Sequence, residues 1–303
     1  MNVPPGSAMQ RSGLQVVVAA TDFSARSDRA VRRAAALAKA AGARLVLLHV
    51  VDDDQPARIV DGECELAETA LADAIREHAY LAGLQCTPIV ARGVAFDGIV
   101  KVAEQQQADL CVIGSHRRAF LKDIFIGTTA ERVIRNSSFP VLMANSDPAE
   151  PYASGLAPVE LSDCSAQALT TARRLGLLPP KRLTVLHVYD AAAAGMLNYA
   201  GVRPSRRNAY LGDALTEAAR DLAVFMKTVD LGDIDRTSLV REGSAVAETI
   251  IDVVTTTRPD LVVIGTHGRR GVVRLLLSSV AEEVLRCVHN DVLVVPVKDA
   301  APS

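Results

Sequence analysis

An α/β architecture is expected from the amino-acid sequence: two tandem units, each with an open parallel sheet. Three observations carry that expectation. Short apolar, β-branched runs alternate with stretches whose apolar residues recur at helical spacing, as in a parallel sheet covered on both faces. Residues 259–297 read as strand, glycine loop, helix and strand, and 108–144 repeat the pattern. Gly114 and Gly265 lie 151 residues apart, as do Gly127 and Ser278. Finally, 303 residues suit two domains of ordinary size. We place them at 14–146 and 152–298, with a polar, proline-containing link near 145–151.

In chain order, the apolar run 14–20 predicts a first, central strand, broken by Thr21-Asp22-Phe23-Ser24. A helix follows, with Ser24 or Ser27 available as its cap, a narrow alanine-rich face from Ala30 to Ala38, and Gly42 as its stop. Residues 45–51 predict the second strand and 52–54 the loop beyond it. The helical pattern 64–82, the strand 87–91, the helix 96–107 and the terminal unit complete the first half. In the second half, 155–159 predict a strand, 164–175 a helix, and 183–190 copy 45–52, with His49 and His187 138 residues apart. The difference from 151 requires inserted residues, which we place at 191–208 as a longer lid or loop. In the last unit 273–286 predict a helix and 292–295 a strand.

Composition narrows the function. Lys and Arg total 33 against 35 Asp and Glu, there is no Trp, and only 4% of residues are aromatic. A nucleic-acid binder is therefore not expected, since such proteins concentrate basic residues with aromatics among them. The five cysteines are scattered, with no C-x-x-C pair, which suits buried thiols in a reducing cytoplasm and argues against zinc or a disulfide framework. No apolar stretch reaches membrane-spanning length and residues 1–13 lack a signal-peptide core, so the expectation is a cytoplasmic protein without a membrane partner. Residues 1–13 and the end from about 299 are expected to be frayed tails.

An open parallel sheet binds ligands beyond the carboxyl ends of its strands, where the strand order reverses. Three loops of each unit should converge there: those after the first strand (Asp22; Glu160), the second (Val50; Val188) and the fourth (Gly114; Gly265). Glycine lets backbone N–H groups approach a phosphate, and the following helix N-terminus adds a favourable dipole. The motifs V-I-G-T-H-G-R-R-G, A-E-x-V-x-R, V-L-V-V, T-D-F-S and L-L-H-V are distributed through a chain whose two halves follow one order. Together they resemble the universal stress proteins, as a tandem pair, from about residue 15 to 297.

That resemblance implies a Rossmann-like, adenine nucleotide alpha hydrolase-like fold in each unit. It also implies an internal pseudo-dimer through 141–144 and 292–295, and a further homodimer is compatible with it. Nucleotide-binding members carry glycine, two residues, glycine, nine residues, then glycine with Ser or Thr. Unit one offers Gly114, Arg117 in place of the middle glycine, Gly127, Thr128 and the adjacent Thr129. Unit two offers Gly265, His267, Gly268, Ser278 in place of the last glycine, Ser279 and the adjacent Val280. On the adenosine side the resemblance implies Asp22 and Val50 in unit one, and Pro158, Glu160 and Val188 in unit two. Unit two thus keeps the better phosphate cradle and unit one the better adenosine seat. The cradle weighs more, because a lost close-approach glycine is harder to replace than a lengthened carboxylate.

His49 and His187 lie inside strand runs and are expected to be hydrogen-bonded core imidazoles. His116 and His267 in the glycine loops would touch phosphate or brace the loop. Arg117, Arg118, Arg269, Arg270 and Arg274 suit phosphate pairing or a solvated helix start. No Walker lysine, G-x-S-x-G elbow or H-E-x-x-H helix appears, so no catalytic residue or metal site is expected. The expectation is a stress-response protein that binds ATP or a related adenine nucleotide, with or without Mg2+, and signals through an unidentified protein partner. A nucleotide-free scaffold or chaperone-like protein is the alternative; slow ATP hydrolysis is a third.

Overall fold

The computed structural model describes residues 13–114, 128–147, 151–191, 203–266 and 277–296. The first half contains β1 (Val16–Ala20), α1 (Ala25–Ala41), β2 (Arg44–Val51), α2 (Ala57–Glu77), β3 (Cys86–Arg92), α3 (Ala95–Gln105), β4 (Leu110–Gly114), α4 (Thr129–Asn136) and β5 (Val141–Ala144). The second contains β6 (Gly155–Pro158), α5 (Asp163–Arg174), β7 (Leu183–Tyr189), α6 (Pro204–Thr228), β8 (Arg236–Glu242), α7 (Val246–Thr257), β9 (Leu261–Gly265), α8 (Ser279–Cys287) and β10 (Asp291–Val295). These strands form one ten-stranded sheet, ordered β3-β2-β1-β4-β5-β10-β9-β6-β7-β8. Every pairing within a half is parallel, as crossover helices require. The polarity reverses at β5 and β10, which pair antiparallel with Leu142 opposite Leu293.

Strand alternation divides the core into two layers. Val17, Ala19, Leu142 and Leu293 face the side covered by Ala30 and Ala34 of α1, Leu71 of α2, Leu169 of α5 and Leu222 of α6. Val18, Val141 and Val292 face the side covered by Ile99 of α3, Val133 of α4, Ile250 of α7 and Val284 of α8. Both layers run through the β5–β10 seam, so each half buries apolar surface against the other.

A polar cluster also crosses the seam. Asp291, fully buried at the start of β10, accepts hydrogen bonds from the Asn145 and Ser146 backbone N–H groups and the Ser146 hydroxyl on one carboxylate oxygen. Its other oxygen accepts the Tyr152 hydroxyl at 2.8 Å and lies 2.8 Å from Arg33 Nε. The Arg33 guanidinium stands over the Tyr152 ring, 4.5 Å from its centroid. Asn145, Ser146 and Tyr152 are therefore bound at this cluster, and α1 of the first half is tied to β10 of the second. Beside the seam, Arg135 of α4 pairs with Glu282 of α8 and with its own Glu131. The last Arg of one A-E-x-V-x-R motif and the Glu of the other thus serve the contact between halves.

Several expected boundaries move. Helix α2 begins at Ala57, seven residues before the expected start, because Val60 is buried on the sheet edge as well as Cys64, Ala67 and Leu71. Its expected end is a separate 3-10 turn, Ala79–Leu81. Ser24 is the cap of α1 and accepts from the Ser27 N–H; Ser27 instead braces the preceding loop. Helix α8 begins at Ser279, capped by Ser278, so the expected start at 273 is displaced; residues 273–276 lie outside the described residues. Within the expected lid, 204–208 are helical and open α6, and 192–202 lie outside the described residues.

Candidate functional site

Each half has the order 3-2-1-4-5, which places the reversal between its first and fourth strands. A cavity lies at the carboxyl end of that reversal in both halves. In the first, Thr21, Asp22 and Ser24 after β1, Val50 at the end of β2, Gly114 at the end of β4, and Thr129 and Ala130 of α4 contribute to the lining. Its volume is about 200 Å³. Pro158 at the end of β6, Glu160 after it, Val188 of β7, Gly265 of β9, and Ser278 and Val280 at the start of α8 help line the second, of about 320 Å³.

The turn after the first strand has the same build in both halves. Phe23 and Leu161 adopt φ of +59° and +58°, a conformation uncommon for such side chains and one that marks a tightly held loop. The Ser24 N–H donates to Asp22 Oδ1, and the Asp22 N–H donates to the Ser27 hydroxyl. In the second half the Glu160 N–H donates to Ser165, and the Ser162 hydroxyl donates to Glu160 Oε1 at 3.0 Å. Burial pushes the Asp22 carboxyl up, but hydrogen bonds from Ser24 and Ser27 and the Arg26 charge outweigh it, leaving the pKa below its ordinary 3.8. Asp22 is thus an anion at neutral pH, facing a cavity with hydrogen-bonding capacity.

His49 and His187 behave as expected of core imidazoles. Nδ1 of His49 meets the Thr21 carbonyl at 2.8 Å, and Nδ1 of His187 meets that of Val159 at 3.0 Å. A carbonyl only accepts, so Nδ1 carries the proton. Each ring thereby fixes the loop that holds the acidic residue, and each also lines its cavity.

The helices that follow the glycine loops are capped by hydroxyls. Thr128 accepts from the Glu131 N–H and Ser278 from the Ala281 N–H. A capping oxygen accepts, leaving the hydroxyl proton of Ser278, which lines the second cavity, available to an anion. Ser278 has φ −65° and ψ 149°, so the residue at the place of Gly127 needs no left-handed backbone. It starts α8 one residue earlier, in register terms, than Thr128 starts α4. The Ser278 N–H also donates to the Thr266 carbonyl at 2.9 Å, joining the two ends of the glycine loop.

The two strand-end glycines differ in their surroundings. A Cβ on Gly114 would lie 3.0 Å from the Arg26 carbonyl oxygen and 3.2 Å from the Ser27 nitrogen. On Gly265 the nearest atom would be the Cys164 carbonyl oxygen at 3.5 Å, an ordinary contact. Gly114 is therefore required by the approach of α1, whereas Gly265 is not required by the fold.

Of the expected site residues, Asp22, Val50, Gly114 and Thr129 meet at the first cavity, and Pro158, Glu160, Val188, Gly265, Ser278 and Val280 at the second. Thr128 is buried as the α4 cap, and Ser279 is exposed as the first residue of α8. Gly127, His267 and Gly268, together with His116, Arg117, Arg118, Arg269, Arg270 and Arg274, lie outside the described residues. Sequence reasoning missed Arg26 and the apolar walls, Ile99 and Ala95 in one cavity and Ile250 and Val246 in the other. The wall pairs share the 151-residue offset and were open to discovery by that alignment.

A profile described as the Universal stress protein family matches residues 13–145 and again 154–296. The chain belongs to the universal stress protein family. It carries the domain twice, and the α/β, Rossmann-like architecture is that of the family. A universal stress protein of Methanocaldococcus jannaschii is 27% identical over 145 residues, which are 41% of this chain and 90% of the relative. A solved universal stress protein from Archaeoglobus fulgidus is 17% identical with a TM-score of 0.66, over 93% of this chain and 98% of its own, a likeness of fold. A universal stress protein solved in complex with cAMP covers 44% of this chain and 97% of its own, at 24% identity and a TM-score of 0.37. Among the described residues no helix is long and apolar enough to cross a membrane.

Proposed function

We propose that this universal stress protein binds ATP or a related adenine nucleotide, first of all in its second unit, and acts in the cytoplasm through partner contacts that depend on occupancy. The observation that carries the reading is the second cavity. It lies at the strand-order reversal, reaches about 320 Å³ and is lined by both Glu160 and a capped helix start. Ligand pockets begin at about 300 Å³, a size the first cavity, at about 200 Å³, does not reach. In this reading Glu160 takes the ribose hydroxyls, the Val188 backbone takes the adenine edge, and Gly265 and Ser278 meet the phosphates, with Mg2+ accompanying the triphosphate.

The role proposed is binding, without turnover. Neither described lining includes a lysine to hold a transferring phosphate, and the two histidines spend Nδ1 on backbone carbonyls. The narrow first cavity favours, for that half alone, the alternative of a scaffold without nucleotide.

Filling each cavity from its rim tests the assignment. Val246 is 38% exposed and Ala95 is its counterpart. Val246→Trp should abolish an ATP-dependent rise in Tm, while Ala95→Trp should leave it in place. An unchanged ATP response in Val246→Trp would contradict the assignment to unit two.

A further inference from the structure

The described linings of the two cavities differ in charge at one position of the first helical turn. In unit one it is Arg26; in unit two, 138 residues on, it is Cys164. Arg26 lines the first cavity, and its Nη2 lies 3.8 Å from Asp22 Oδ2. The backbone is closer as well, since the Gly114 Cβ position stands 3.0 Å from the Arg26 carbonyl oxygen, against 3.5 Å for Gly265 and Cys164. Asp22 and Glu160 are the acidic residues of the two cavities, so the arginine addresses the carboxylate that a ribose would need. The smaller cavity, about 200 Å³ against about 320 Å³, is the one with the arginine.

We infer that residue 26/164 determines which unit accepts an adenine nucleotide: Arg26 occupies the first cavity and engages Asp22, while Cys164 leaves the second open. This rests on the nucleotide reading of the preceding subsection. The guanidinium acts as an internal competitor. It adds bulk to the space beside Asp22, and its charge holds the carboxylate toward itself instead of toward ligand hydroxyls. The first helical turn thus adds a difference in charge to those already seen between the units, such as Glu160 for Asp22.

Exchange of the two residues tests this. ATP per chain is measured by equilibrium dialysis at saturating concentration for the intact wild-type protein, Arg26→Cys, Cys164→Arg and the double exchange, with circular dichroism to verify folding. The expected ratios are one for wild type and two for Arg26→Cys. Cys164→Arg should bind at least tenfold more weakly, and the double exchange should return to one site. Arg26→Ala is a second route to the open first cavity and should also reach two. Two sites in the wild type, or a ratio that stays at one in both Arg26 variants, overturns the inference while the nucleotide reading stands. Loss of binding in Arg26→Cys would do so too, by making the arginine a ligand. No binding in any of these proteins overturns the nucleotide reading and this inference with it.

Discussion

Packing around the two strand-end glycines gives them different tolerances. Gly114→Ala should cost about 1–3 kcal/mol in urea unfolding, the usual range for overpacking against backbone. Gly265→Ala should stay within about 0.5 kcal/mol. Equal losses would mean that α5 approaches β9 as closely as α1 approaches β4. Asp22 makes a prediction in pH. Its folded pKa is depressed below 3.8, so the stability it contributes is present above that value and lost as pH falls through the lower, folded one. The gap in unfolding free energy between wild type and Asp22→Ala should therefore be constant from neutral pH to about 4.5 and shrink below about 3.8. A gap that grows on acidification would contradict the hydrogen-bonded anion. Asp22 was legible from its place after an apolar strand; Arg26 was not, because an arginine in the first turn of a helix, off its apolar face, reads as solvated until a cavity is found beside it.

Helices α2 and α6 are counterparts, yet they are packed differently. Helix α2 buries Val60 and Cys64 in its first two turns, and Ala67 and Leu71 beyond them. Cys64 is 6% exposed and Leu215 is 46% exposed. None of residues 205–217 is buried, whereas α6 from Ala218 onward buries Leu222, Phe225 and Met226. Helical hydrogen bonds without buried apolar contacts open at low free energy. Amide exchange in 205–217 should accordingly be at least tenfold faster than in the first turns of α2; equal protection would show that another surface covers this face. The strands were the clearest elements in the sequence, since doubly covered parallel strands are short apolar runs with little ambiguity. Helix starts were poorly legible: Pro56 and the buried Val60 extend α2 forward, and Ser278 starts α8 because a hydroxyl can cap where glycine stood.

The whole molecule is held as one sheet through a seam that joins apolar layers and the Asp291 cluster. Removing the carboxylate breaks a 2.8 Å ion pair to Arg33, which is 4% exposed. Asp291→Ala should cost about 3–5 kcal/mol, and the double variant with Arg33→Ala clearly less than the sum of the single losses. Additive losses would mean that the two charges act independently. The β5–β10 pairing was foreseen through the family resemblance. The polar cluster was not, because Arg33, Ser146, Tyr152 and Asp291 are scattered along the chain and share no motif. In the repeat, Pro140 stands where Asp291 does, so comparison of the halves conceals this cluster.

The most direct measurement of the central claim is nucleotide content and binding in the intact protein: denature purified protein, identify and quantify what is released, then titrate nucleotide-free protein with ATP. The account predicts one adenine nucleotide per chain, with binding lost in Val246→Trp and kept in Ala95→Trp. Absence of released nucleotide together with no ATP binding at millimolar concentration would contradict it and leave a nucleotide-free scaffold as the function.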